Sequence, residues 1–213
     1  MGKEKNSKIS LRRKIPTIEE LEDRFLFIED KVLRQNIAIA FQYLIFLIAV
    51  LDELEADNTT VSSSIHKDMI LYTGSIIESI LHHCLKQYIE NDLVKSSEVM
   101  PTHWDTRDHK TLFEISDAEK VCGVIKYKKT EHLTNQTNFI VINRACKKAK
   151  ILTKTLFDKS EKVRELRNKI HLSGLRLVDN TYTKDDSQDV FDTAKKIIER
   201  VETKLQNIKT PKQ

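Results

Sequence analysis

Apolar residues return every three or four positions along most of this chain, the period of one face of an α-helix. Thr17 followed by Glu20 has capping-box spacing, so a helix is expected to start there, carrying Leu21, Phe25, Ile28, Val32 and Leu33. It runs to about position 55, with a break expected near Asn36, and residues 57–60 read as a turn. A second long helix covers about 61–92, with Ile65, Met69, Ile76, Ile80, Leu81 and Leu85 on one face. Regularity is lost from about 94 to 135, where Pro101, Trp104 and Gly123 mark an irregular insertion; within it 121–127 reads as a short strand, and Trp104 as an anchor onto the helices. Helices resume over about 138–157 and 160–172, with Ser160 as N-cap and Gly174 as the stop. A last helix spans about 187–207, with Asp185, Asp186 and Asp189 at its start, where the macrodipole favours acids. The predicted fold is all-α: an up-and-down bundle of four to five long helices with one insertion, forming a single domain over 16–208 behind a disordered basic tail at 1–15.

The most apolar run, 37–51, is fifteen residues interrupted by Gln42 and Tyr43. A membrane span takes about twenty apolar residues. The run is short of that and flanked by charges, so it reads as a helix buried centrally or against a second subunit, with no membrane partner.

Composition agrees with long helices. Four glycines and three prolines in 213 residues are few for a protein built on tight turns. The three cysteines, Cys84, Cys122 and Cys146, are odd in number and far apart, which suggests neither a disulfide framework nor a zinc knuckle. The polar, basic start has no apolar core of a signal peptide, so a cytoplasmic location is expected. The net charge is only +4, but fifteen lysines and arginines face four acids between Lys120 and Arg176. That uneven distribution points to a polyanionic partner.

The basic region holds the chemistry. On a helix Arg164, Arg167, Asn168 and His171 share one face, which presents two guanidiniums, a carboxamide and an imidazole. Imidazole moves protons near neutral pH, and guanidinium matches a phosphate. Glycine-rich phosphate loops, GxSxG and HExxH are absent. The pair His82-His83 beside Cys84 is adjacent rather than helically spaced, and His103, His109 and His132 match no ligand cluster, so no metal and no cofactor are expected. In the second long helix, Gly74-Ser75-Ile76-Ile77-Glu78-Ser79 sets small residues beside a glutamate that needs a cation, with Arg164 and Arg167 as the candidates.

Leu166-Arg167-Asn168-Lys169-Ile170-His171, preceded by a helix with Gly-Ser-Ile-Ile-Glu-Ser and followed by an amphipathic helix, resembles the HEPN superfamily over about residues 65–205. That family's signature is an arginine, often followed by Asn, Asp or His, then four to six residues and a histidine. Arg164 has six intervening residues before His171, whereas Arg167 has Asn168 beside it but only three. Which arginine acts is therefore left open. The resemblance implies a metal-independent endoribonuclease, of the toxin or antiphage-defence kind, with a composite Arg/His site at a homodimer interface. It implies His171, Arg167, Arg164 and Asn168 as catalytic residues with Glu78 supporting them, and an antitoxin or defence-system protein as a further partner. The alternative is an inactive HEPN-like module that binds a nucleotidyltransferase or another protein.

Overall fold

The structure, a computed structural model, describes residues 11–54, 59–169 and 182–209. Thr17 caps a short helix α1 (Ile18–Glu22) through the reciprocal capping box: its Oγ1 accepts the Glu20 N–H at 3.2 Å and its own N–H donates to Glu20 Oε2 at 2.9 Å. A single 3-10 turn, Asp23–Phe25, follows, and Asp30 then caps α2 (Lys31–Glu53) by accepting the Leu33 N–H. The helix break therefore falls before Asp30 rather than near Asn36. The long helix α3 (Thr59–Glu90) lies at the centre and packs against α2, α5 (Phe139–Lys148), α6 (Lys154–Asn168) and α7 (Lys184–Lys209). Ile70, Ile77, Ile80, Leu81 and Leu85 of α3 are fully buried, as are Ile142 of α5 and Ile197 and Val201 of α7. A one-turn helix, α4 (Ser96–Val99), packs against α5 with Val99 buried in the core.

Helix α2 is buried on one side within the single chain, and the expected burial over 37–51 is met only in part there. Ile37, Ala38, Leu44, Leu47 and Ala49 are buried, while Ile39 and Phe46 are exposed. It is one helix among the described residues long and apolar enough to cross a membrane by length and composition alone.

The all-α expectation is corrected by the insertion. The chain is 64% helical, with seven helices and a two-stranded antiparallel sheet among the described residues. Strands β1 (Thr102–Ser116) and β2 (Glu119–Thr130) form a hairpin ladder running from Thr102↔Thr130 to Ser116↔Glu119, broken by three register shifts. The candidate strand at 121–127 lies inside β2. Period-two alternation signals a strand only when one face is buried and the other wet. Here nearly every residue of both strands is exposed, so the pattern had no buried face to report. Trp104 anchors nothing: it is 66% exposed on the ribbon.

The helix expected over 138–157 is two helices. The last turn of α5 closes with Lys150 in the left-handed region (φ 57°), the Ile151 N–H on the Cys146 carbonyl and the Lys150 N–H on that of Lys147. That pairing is a Schellman stop, usually made with glycine. Thr153 then caps α6, seven residues earlier than the N-cap expected at Ser160. Ser160 instead lies buried mid-helix. The expected stop at Gly174 falls outside the described residues.

Candidate active site

Helix α6 turns its buried Val163 and, one turn later, Arg167 toward α3. Gly74 of α3 makes this approach possible. A Cβ there would stand 3.2 Å from Arg167 Cδ and 3.5 Å from Val163 Cγ1, so the arginine stem lies across the bare glycine backbone. One turn further along α3, Glu78 takes the head group: Arg167 Nη1 donates to Glu78 Oε2. The Phe139 ring lies 6.0 Å from the guanidinium carbon. Both partners are about a quarter exposed, Arg167 at 28% and Glu78 at 24%, so the pair sits at a cleft wall rather than in the core.

That cleft has a volume of about 440 Å³ and opens between α3, the start of α2 and residues 135–137. Its polar lining includes Asp30, Asn36, Glu78, His82, Lys86 and Arg167, with Ser75 and Ser79 of α3 between them. The α3 members recur at three- and four-residue spacing, which makes them one stripe of that helix. His82 donates from Nε2 to the Thr134 carbonyl at 3.0 Å, tying α3 to the loop before α5. His83 is buried at the cleft base, and burial pushes its imidazole below the ordinary histidine value, with Asp30 pulling the other way.

Arg164 goes elsewhere. Three residues from Arg167, it is about 60° away around the helix, and it pairs with acids of its own helix. Its Nε donates to Glu161 Oε2 at 3.0 Å, and Nη2 lies 3.7 Å from Glu165 Oε1. Glu161 Oε1 accepts from Asn143 Nδ2 at 2.7 Å, and Asn143 Oδ1 accepts from the Ser160 hydroxyl at 2.8 Å. Asn143 and Ser160 are fully buried, so Arg164 closes a polar clamp between α5 and α6. Asn168 is exposed at the last residue of α6. His171 lies outside the described residues.

The structure thus brings Arg167 and Glu78 together and separates them from Arg164. The cleft residues Asn36, His82 and Lys86, and the clamp residues Asn143, Ser160 and Glu161, were not singled out as partners by the sequence. The stripe Ser75-Ser79-His82-Lys86 was a legible signal, since it gives a polar face to an otherwise apolar helix. Among the described residues no group of three or more His, Cys, Asp or Glu is placed to hold a metal ion. Comparison with family models, with curated proteins and with solved structures finds no match to this chain.

Proposed function

We propose that the chain is a homodimeric, metal-independent endoribonuclease of the HEPN type, with Arg167 as the phosphate-contacting cation and His171 as the proton-transfer group. The carrying observation is the way Arg167 is set: its stem crosses Gly74, Glu78 holds one edge of the guanidinium, and the head group lines a polar cleft. A guanidinium has five N–H donors in a fixed fork, and the Glu78 contact uses Nη1. The remaining edge suits a phosphate oxygen on which charge develops. Asn168, adjacent in sequence and exposed, is the candidate to orient the phosphate or the imidazole.

In this reading the RNA 2′-hydroxyl gives its proton to an imidazole. The 2′-oxygen then bonds to phosphorus, and the bond from phosphorus to the 5′-oxygen breaks. That oxygen leaves with a proton from a second acid, and the products are a 2′,3′-cyclic phosphate and a 5′-hydroxyl. One chain offers one Arg/His motif, so a second copy supplying a second His171 gives the reaction both its base and its acid.

A second reading, a binding module without activity, draws on the same contact. Glu78 offsets the charge of Arg167, and Arg164 is paired with Glu161 and Glu165 of its own helix. Purified protein incubated with RNA in EDTA separates the two. The ribonuclease reading expects fragments ending in 2′,3′-cyclic phosphate and no cleavage where a 2′-deoxy nucleotide replaces the target residue. Intact RNA after incubation leaves the binding module.

A further inference from the structure

The hairpin divides its side chains sharply between its two faces. Paired residues of an antiparallel ladder share a face, and neighbours along a strand alternate. On one face Asp105 accepts from the Tyr127 hydroxyl at 3.2 Å and lies 3.5 Å from Lys129 Nζ. On the opposite face the pairs are Trp104↔Lys128, Thr106↔Lys126 and His109↔Val124. The basal half of that second face therefore carries one aromatic ring, two lysines and a histidine, and no carboxylate. Trp104 is 66% exposed and absent from the hydrophobic core. Among the described residues Lys126 and Lys128 make no salt bridge to an acid, unlike Lys129 on the other face.

A large ring held open to solvent beside uncompensated cations, on an extended ribbon, fits one ligand chemistry. Bases of any sequence stack on an exposed indole, and lysines at two-residue spacing, about 7 Å apart along a strand, meet successive backbone phosphates. A protein partner is the weaker fit to this face, because its apolar side chains are few and the ribbon's exposed Leu112 instead covers Gly123 on the other face, its branch carbons 3.3 Å from where a Cβ would stand.

We infer that the hairpin face carrying Trp104, Lys126 and Lys128 binds single-stranded nucleic acid, with Trp104 stacking on a base and the two lysines contacting phosphates. In taking that strand to be the substrate of the α3–α6 cleft, this rests on the ribonuclease reading. The hairpin then acts as a guide that holds RNA beside the site without touching the reacting atoms.

The test uses the full chain and a twenty-nucleotide oligo(dT), which lacks the 2′-hydroxyl and so reports binding independently of cleavage. Trp104 is the single tryptophan, so stacking is read directly as saturable quenching of intrinsic fluorescence. Trp104→Ala, followed by anisotropy of labelled oligo(dT), weakens binding about 5- to 150-fold, the range for loss of one base stack. Lys126→Ala with Lys128→Ala lowers the slope of log affinity against log salt by about 1.4, the loss of two single-strand phosphate contacts. Lys110→Ala, on the opposite face, leaves affinity unchanged. Because Trp104 contributes nothing to the core, circular dichroism of the variants matches the parent. Binding that is unaffected by Trp104→Ala overturns the inference, as does a tryptophan signal that follows protein concentration rather than oligo(dT), which assigns the face to a second copy. Binding of oligo(dT) through Trp104 by a chain that leaves RNA intact removes the ribonuclease reading and leaves the nucleic-acid face standing.

Discussion

Removing Glu78 tests how the central arginine is held. In Glu78→Ala the Arg167 guanidinium loses the carboxylate that accepts from Nη1. Hydrogen bonds to charged groups contribute about 1.5–3 kcal/mol when shielded, and fully exposed pairs about 0.2–1 kcal/mol. With the partners 24% and 28% exposed, the contact falls between those regimes, at about 1–2 kcal/mol. In a domain of this size that lowers the melting temperature by about 2–8 °C. The assay is a double-mutant cycle by urea unfolding, with Glu78→Ala, Arg167→Ala and the double variant, followed by far-UV circular dichroism. The coupling energy should come out at about 1–2 kcal/mol, because each single variant leaves a half-buried charge facing an empty partner position. Glu78→Gln keeps an acceptor without the charge and should lose about half as much. Coupling below about 0.5 kcal/mol, the scatter of independent sites, refutes the claim that Glu78 fixes Arg167.

Three further outcomes follow from the same geometry. Gly74→Ala adds a methyl 3.2 Å from Arg167 Cδ; the gain in helix propensity, about 1 kcal/mol, keeps the fold stable while the displaced stem reduces RNA cleavage, and a variant with full cleavage contradicts the tight approach. Arg164→Ala and Asn143→Ala open the α5–α6 clamp and should each destabilise by about 1–3 kcal/mol in chemical denaturation, with RNA cleavage per folded molecule unchanged for Arg164→Ala; equal loss of cleavage and full stability would assign Arg164 to the chemistry instead. His83 has its folded-state value pushed below the ordinary 6.5 by burial, so the unfolded chain takes up its proton first as pH falls. Stability is therefore full above about pH 6.5 and declines below it toward the lowered folded value; urea midpoints compared at pH 7.5 and pH 5.5 should show this decline in the parent and a smaller one in His83→Gln.

The helices were legible where one face meets the core. Ile76, Ile80, Leu81 and Leu85 mark the buried face of α3, and Thr17 with Glu20 marks a helix start, because burial and capping both leave periodic traces in sequence. The stop between α5 and α6 was hidden because Lys150, not glycine, occupies the left-handed position. The hairpin was hidden for a different reason: with both faces in solvent, no selection for alternating apolar residues marks β1. In the site, the need of Glu78 for a cation could be read from the small residues around it. The choice between Arg164 and Arg167 could not, because it depends on Glu161, itself anchored to α5 by Asn143, holding Arg164 along α6.

The central claim is that Arg167, and not Arg164, faces the scissile phosphate alongside His171. Single-turnover cleavage of a defined RNA by the parent, Arg167→Ala, Arg164→Ala and His171→Ala, each normalised to folded dimer, tests it most directly. The account predicts about 100- to 10,000-fold slower cleavage for His171→Ala. It predicts a loss of similar order for Arg167→Ala, partial rescue by Arg167→Lys, which restores charge without the bidentate fork, and a near-parental rate for Arg164→Ala. Cleavage by Arg167→Ala at the parental rate, or by His171→Ala at the parental rate, contradicts it.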